Sequence, residues 1–495
     1  MADGVFTPYS TVSPFFGALP SWVPPDEQER VASYDIYEQI YFNHPETFKL
    51  VLRGSEARPI YIPSGRTIVE TANRYVGKNL QFVPDPVLGS PNDRQAALEA
   101  FTALFRRERF LSKYNANKRF GLIRGDWVFH ITGDPNKEAG KRLSIHAVNP
   151  SLFFTVPDPN NSERIIKVHL IEQWIDPKDQ KPYMKRQTYM RNENGTIQST
   201  LTLWEQDKWF IEDYVPTQVS PGPITVYNDV TLPVEITSFP VYHIPNFDSP
   251  GFPYGSSEMR GLERVMQAIN QAMTDEDLAL ALDGLGLYTT SGGGPTNDDG
   301  EATDWILGPG RVVENVEDFK RVNGIHTLQP SLDHINALAR FLKEASATPD
   351  AAIGKVDVQV AESGIAMVMQ LGPILDKAEE KDQVILDVLG QMFYDLGTMW
   401  FPVYESLRFG EAVMLPVLGD KLPKNRKMII EEVIALMSAE PPLLSADSGR
   451  RILKAQIGVD FAENEAELIA TQAAGAADAF AQRAQQELGN GGAEG

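Results

Sequence analysis

Residues 253–270 read PYGSSEMRGLERVMQAIN, and they settle which kind of protein this is. Met259, Leu262, Met266, Ile269 and, just beyond, Met273 recur at a 3-4-3-4 spacing. That is the narrow apolar seam of a helix that packs on other helices, rather than the broad face of one that covers a globular core. The seam predicts a helix ending near Asp283-Gly284, after the acidic run TDEDL. Upstream, VYHIPNFDSPGFPYGSSEM (241–259) holds three prolines and ends in a cap, so it is a linker into that helix.

Downstream the character changes over 284–328. SGGGPTNDDGEATDW (291–305) is a Gly-rich acidic loop, and WILGPGRVVENV (305–316) has the pattern of a short hairpin. A second helix follows at 330–346, with Pro330 near its start and Leu332, Ile335, Leu338 and Leu342 in a stripe. Two helices thus bracket a small β insert. Then comes the loop TPDAAIGKVDVQVA (348–361), followed by ESGIAMVMQLGPILDKAEEKD (362–382). Ile365, Val368, Met369 and Leu371 start a helical period, Gly372-Pro373 interrupts it, and Val384, Ile385, Val388, Leu389, Met392, Phe393, Leu396 and Trp400 resume it. One long helix with a kink at the Gly-Pro pair is the expectation.

The first half reads differently. Residues 1–30 are rich in Pro, Ser and aromatics and predict an extended arm. Short helical periodicity covers 67–76, and a longer helix is expected over 93–114, capped by Asn92. The period then becomes two. Residues 121–132, 142–148, 164–174, 183–191 and 196–204 predict strands, with Asn194-Gly195 as a hairpin turn. The expected class is α+β with an antiparallel meander. Toward the C-terminus, 412–420 is strand-like, and helices are expected at 425–439, 445–457 and 464–485 before a Gly-rich tail.

Composition narrows the function. The chain has 495 residues, 42% of them apolar, enough for two to four packed units. It has no cysteine, which removes disulfides, thiolate metal sites and cysteine nucleophiles, and suits a reducing cytoplasm. The start MADGVFTPYS has neither a basic region nor an apolar run, so no signal peptide is expected, and no stretch predicts a membrane span. Net charge is −22, so most of the surface should repel phosphate. Catalytic motifs are missing: there is no P-loop, no G-x-S-x-G and no H-E-x-x-H. His326 and His334 are eight apart, wrong for a zinc pair on one helix face, and His130, His146, His169 and His243 fall in strands where satisfied structural roles are the rule. Neither an enzyme nor a cofactor is expected.

The order of pieces resembles the portal proteins of tailed bacteriophages with long non-contractile tails. FPVYHIPN with PYGSSEMRGLERVMQAIN (239–270) is similar to the family's passage into its first stem helix, and ESGIAM (362–367) to the start of its long helix. GDWVFHI and IHAVNPSLFFTVPD (125–158) resemble its wing strands, and LGDKLPKNRKMIIEEV (418–433) its passage into the crown. The resemblance covers residues 60–490 and implies these parts: 1–60 an arm and the start of the wing, 61–255 wing, 256–283 first stem helix, 284–328 clip, 329–347 second stem helix, 348–362 tunnel loop, 363–424 long kinked helix and wing return, 425–485 crown, and 486–495 a disordered tail.

By that resemblance the chain forms a ring, usually of twelve copies, at one capsid vertex of the virion, assembled in the host cytoplasm. Double-stranded DNA passes through it. The terminase large subunit, the capsid or scaffolding protein and a head–tail adaptor dock on it, and it is not itself an enzyme. The seam Met259, Leu262, Met266, Ile269 and Met273, with Leu332, Ile335, Leu338 and Leu342, becomes the oligomer stem. Asp298, Asp299, Glu301, Asp304 and Trp305 become the partner-facing clip. Lys355, Val356, Asp357, Val358 and Gln359, with Arg340 and Lys343 on the second stem helix, become the surface nearest DNA, and Gly372-Pro373 the bend from channel to wing. Twelve chains of −22 each carry roughly −260 charges, a lining on which DNA slides rather than sticks. The alternatives are another ring-forming virion connector or adaptor and a soluble acidic hydrolase.

Overall fold

A computed structural model describes residues 22–45, 47–52, 58–214, 222–247, 253–285, 287–289, 320–322, 329–355, 364–421, 426–439 and 445–457. The fold is mixed helix and sheet, in two units, Met1–Gly419 and Asp420–Gly495.

The first unit begins with helix α1 (Gln28–Tyr41) and α2 (Ser64–Tyr75), then strand β1 (Gln81–Pro84). The extended-arm reading of 1–30 therefore ends too late: helix starts at Gln28, and Trp22 and Val23 are already buried. Next come α3 (Pro91–Glu108) and α4 (Phe110–Arg124). Here the single helix expected over 93–114 is corrected to two. Arg109 takes a left-handed conformation, φ 53° and ψ 40°, and breaks the helix, while α4 absorbs the first residues of the expected strand at 121–132. The cap is also corrected. Ser90, not Asn92, accepts the Asp93 N–H at 3.2 Å, with Pro91 in the first turn where its missing N–H costs nothing. A non-glycine residue with this φ is strained. Arg109→Gly is expected to raise stability by about 0.5–1 kcal/mol, read as a higher urea midpoint with an unchanged slope.

The strands are β2 (Asp126–Gly133), β3 (Leu143–Val148), β4 (Phe153–Asp158), β5 (Asn161–Ile175), β6 (Pro182–Arg191) and β7 (Ile197–Glu205). After the short helix α5 (Ile211–Tyr214) come β8 (Thr225–Thr231) and β9 (Val241–Pro245). The expected antiparallel meander is present as the five-stranded sheet β4-β5-β6-β7-β8. Its β6–β7 turn uses Gly195 at φ +84°, as the Asn-Gly pair predicts. Alternation buries both faces of this sheet over β4–β7, while β8 is exposed along its length. Phe154, Ile171, Met184 and Trp204 face Trp22 and Trp209 on one side, and Phe153, Val168, Tyr189 and Ile197 pack on the other with Val128 of β2. A second sheet has the order β3-β2-β9.

Helix α6 (Glu263–Leu285) follows, then β10 (Leu287–Thr289), β11 (Lys320–Val322) and α7 (Gln329–Ala345). β10 and β11 pair antiparallel, so a short ladder joins the two ends of the expected insert. The clip residues Asp298, Asp299, Glu301, Asp304 and Trp305 lie outside the described residues. Helix α8 (Gly364–Asp395) continues without interruption through Gly372 and Pro373, so the Gly-Pro pair does not end it. Proline at 373 removes the N–H that would bond the Met369 carbonyl. The helix nonetheless continues past it, with Met369 on its exposed face. A π-helical stretch (Leu396–Glu405) extends α8, and β12 (Met414–Val417) pairs with β1. The largest core gathers α2, α3, α4, β2, α8 and the start of α6 around Phe101, Phe105, Phe110, Phe129 and Phe393.

The second unit contains α9 (Arg426–Ser438) and α10 (Ala446–Ile457), which pack together. Gly449 lies against the Val433 and Met437 side chains, so a side chain at that position would need Met437 to shift. The helix expected at 464–485 and the tail lie outside the described residues.

Candidate assembly and channel surfaces

The seam that opens the sequence reading has its partners inside the protomer. Met259, Leu262, Met266 and Ile269 are buried, and Met273 packs against the same core. The expectation that this strip is the oligomer stem is therefore corrected: its apolar atoms are already covered by the chain that carries them. The helix also starts later than expected. Gly261, at φ +83°, turns the chain between Met259 and Glu263, so the first two seam residues belong to a turn.

Beside the apolar stripe runs a polar one at the same helical steps, which sequence reading passed over. Asn270 Oδ1 accepts the Ile62 N–H at 2.9 Å, and Thr274 Oγ1 accepts the Ile60 N–H at 3.0 Å. Gln271 accepts the Val51 N–H at 2.8 Å and donates to the Val51 carbonyl at 2.9 Å, while Gln267 donates to the Lys49 carbonyl at 2.9 Å. Side chains of α6 thus stand in for a neighbouring strand and fix the segment before α2 along the helix. The bare pattern Q-x-x-N-Q-x-x-T was legible, but its partner backbone, more than 200 residues away, was not.

Helix α7 packs on α6, yet of its 17 residues Leu342 is the one described as buried. Leu338 and Ile335 are half-buried, and Leu332 and Phe341 are 43% and 56% exposed. Leu280 of α6 is 51% exposed. Among the described residues, the hairpin therefore presents apolar groups that its own protomer covers only in part.

The linker PYGSSEM proves to be an anchor held by contacts from Tyr254 through Glu258. Tyr254 lies under the Arg30 guanidinium at 3.9 Å and its hydroxyl accepts the Thr155 N–H at 3.0 Å. Gly255 donates its N–H to Asp126 at 2.7 Å, and any side chain there would collide with the Gly125 backbone. The Ser256 carbonyl accepts from Asn246 at 2.9 Å, and Ser257 Oγ accepts the Met259 N–H at 3.1 Å. Asp126 is fully buried, takes the Tyr34 hydroxyl, and lies 2.6 Å from His243 Nε2.

Glu258 has a wholly buried side chain and forms ion pairs with both Lys377 and Lys381 of α8. Lys381 also donates to Asn246 Oδ1 at 2.8 Å and sits 3.6 Å from the Phe247 ring centroid. Burial pushes the Glu258 carboxyl up, but the two ammonium groups outweigh it and hold the group down at about 2. Burial pushes Lys381 down to about 8, with Glu258 opposing. The effect is a lock between the linker that starts α6 and the helix just past Pro373.

The cations expected to face DNA are partly engaged. Arg340 pairs with Glu344 at 3.3 Å, and Lys343 with Asp350 at 2.6 Å. Asp350–Ile353 forms one 3-10 turn closed by Gly354 at φ +90°, which leaves Lys355 exposed. Val356, Asp357, Val358 and Gln359 lie outside the described residues. Among the described residues, no cluster of three or more His, Cys, Asp or Glu could hold a metal ion, and no helix is long and apolar enough to cross a membrane.

No family model matches the chain, and no curated protein is similar to it by sequence. Solved structures do match. A chain from the neck of a native gene transfer agent particle, computed with C12 symmetry, is 14% identical over 79% of this chain and 89% of that one, with a TM-score of 0.40. A chain from the neck of the empty particle, computed with C6 symmetry, is 12% identical over 79% and 90%, with a TM-score of 0.41. A chain from the virion of the native particle is 13% identical over 92% and 99%, with a TM-score of 0.38.

Proposed function

We propose that this chain is a portal-type subunit: a non-catalytic ring component of a tailed-phage-like virion that lets double-stranded DNA pass at one capsid vertex. The observation that carries the reading is the α6–α7 hairpin. It bears a small insert between its helices, is locked to the body through Glu258, Lys377 and Lys381, and leaves Leu280, Leu332 and Phe341 about half exposed. The order of parts in the sequence and the net charge of −22 support it.

In this reading neighbouring hairpins cover one another's exposed apolar groups around the ring, by heterologous contacts that close. The insert between α6 and α7 points toward terminase and adaptor. The segment after Lys355 borders the channel, where acidic walls keep DNA mobile. Arg340 and Lys343, being paired with Glu344 and Asp350, offer DNA little net charge. Native mass spectrometry with negative-stain microscopy tests the proposal. Annular particles of many subunits are expected at micromolar protein and physiological salt. A strict monomer there, with no ring in assembled particles, would falsify it, and a ring without DNA passage in a packaging assay would point to a connector instead.

A further inference from the structure

The two edges of the five-stranded sheet differ. Along β4 the backbone has partners: Arg30 donates to the Pro150 and Phe153 carbonyls at 2.9 and 3.0 Å, and the Thr155 N–H donates to the Tyr254 hydroxyl at 3.0 Å. Beyond β8 no strand lies among the described residues. The Leu232 N–H donates to the Ile197 carbonyl at 2.8 Å, and this fixes the alternation, so the N–H and C=O groups of Asp229 and Thr231 point away from β7. Every residue of β8 is exposed, and Ile224, Val226, Tyr227, Val230 and Val234 are each at least 45% exposed. The usual guards of a free edge are thin here. β8 has no Lys or Pro, and its one charge, Asp229, accepts from Gln198 and Thr200 of β7 at 2.8 and 3.0 Å. A bulge at Tyr227 bends the start of the strand, but residues 228–231 pair in regular register.

The chain itself carries a strand to fit this edge. Residues 5–13, VFTPYSTVS, lie outside the described residues; six of the nine are β-branched or aromatic and none is charged, a composition that favours strand. Pro8 does not exclude the pairing, because a strand added at an edge needs N–H groups on one side only. The described chain begins at Trp22. Its ring meets Phe154 of β4 edge-on, with centroids 6.5 Å apart, and its carbonyl accepts the Trp209 indole N–H at 2.8 Å. The segment is thus rooted on the β4 side, while the open edge is four strand spacings away, about 19 Å. The sheet face between them is filled by Ile171, Met184, Trp204 and Trp209, so the segment would have to cross a covered surface to reach its own β8. A second copy set beside the first in the same orientation brings its root next to this β8 instead.

We propose that the outer edge of β8 is the seat of residues 5–13 of a neighbouring copy, added as a sixth strand. The main-chain groups of Asp229 and Thr231 supply the pairing, and Val226, Tyr227 and Val230 gain apolar neighbours. With the root on one side of the sheet and the seat on the other, the contact is head-to-tail, so it repeats around a closed ring rather than stopping at a pair. The inference rests on the ring reading above and adds a contact separate from the α6–α7 hairpin.

The chain has no cysteine, so introduced pairs report without background. In the full chain, Asn228→Cys, at an exposed position, is combined in turn with a cysteine at each non-proline position from Phe6 to Ser13, and the protein is oxidised and run on a denaturing gel. Disulfides between copies are expected, giving a ladder of covalent multimers, strongest at alternate arm positions because side chains of a strand alternate between faces. In the parent, hydrogen exchange at the Asp229 and Thr231 amides should slow by about tenfold or more on assembly. Native mass spectrometry of the same samples separates this contact from the ring reading. Rings that form without a cross-link at any arm position, and without slowed exchange, overturn the arm contact and leave the ring reading standing. Inter-copy cross-links in open chains rather than closed rings support the arm contact and count against the ring. A disulfide within one chain overturns the proposal by seating the arm on its own sheet, and a dimer from Asn228→Cys alone overturns it by pairing two β8 edges. Monomers with no cross-link overturn both readings.

Discussion

Glu258→Gln is expected to destabilise the protomer by about 3–5 kcal/mol, a large fraction of what holds most folds together. The amide keeps the shape but removes the charge, leaving Lys377 and Lys381, whose side chains are 13% and 4% exposed, facing each other without a counter-ion. Repulsion then adds to the desolvation that already lowers Lys381. The measurement is the urea midpoint at neutral pH on protein held below its assembly concentration. A control, Glu258→Gln with Lys377→Met and Lys381→Met, should recover part of the loss, because a neutral amide beside two apolar side chains leaves no orphan charge. An unchanged midpoint in the single variant would show that the lock contributes nothing.

The same group sets an acid limit. Its folded value of about 2 lies below the usual 4.5, so the folded state binds its proton less readily than the unfolded chain. The stability it supplies is complete above pH 4.5 and is lost as pH falls toward 2. Asp213, beside His169 and Lys167, and Asp126, beside His243, are also held low and add to the loss in the same direction. Glu258→Gln should therefore show a shallower acid slope than the parent across that window.

What was legible in the sequence was whatever repeats within a few residues. Strands β5, β6 and β7 appear where period-two alternation predicts them, because each face of that sheet meets its own apolar cluster. The helix through Gly372-Pro373 was legible because its period resumes in phase. Arg109 was not, since the apolar positions Phe105 and Phe110 continue past a break whose only signature is a backbone angle. Nor does a stripe say whose side chains will cover it. Met266 and Ile269 announce a partner without naming it, and the partner turned out to be the same chain. The Glu258–Lys381 pair spans 123 residues, beyond any local pattern.

That correction decides which substitution probes assembly. Met266 is 1% exposed, so Met266→Asp would bury a charge in the protomer and report on folding alone. Phe341→Glu with Leu280→Glu is the informative variant. Both side chains are more than half exposed in the isolated chain, so the protomer should lose no more than about 0.5 kcal/mol. In a closed ring each subunit would use these groups at a neighbour, and an aromatic anchor exchanged for a charge there costs about 2 kcal/mol or more per contact. The cost recurs at every interface, so the expected result is complete conversion of rings to protomers at micromolar concentration, with an unchanged urea midpoint. Native mass spectrometry reads the first and denaturation the second. Rings that persist in the double variant would move the contact away from the hairpin, whereas a fallen midpoint would mean that α6 and α7 need these groups for their own packing.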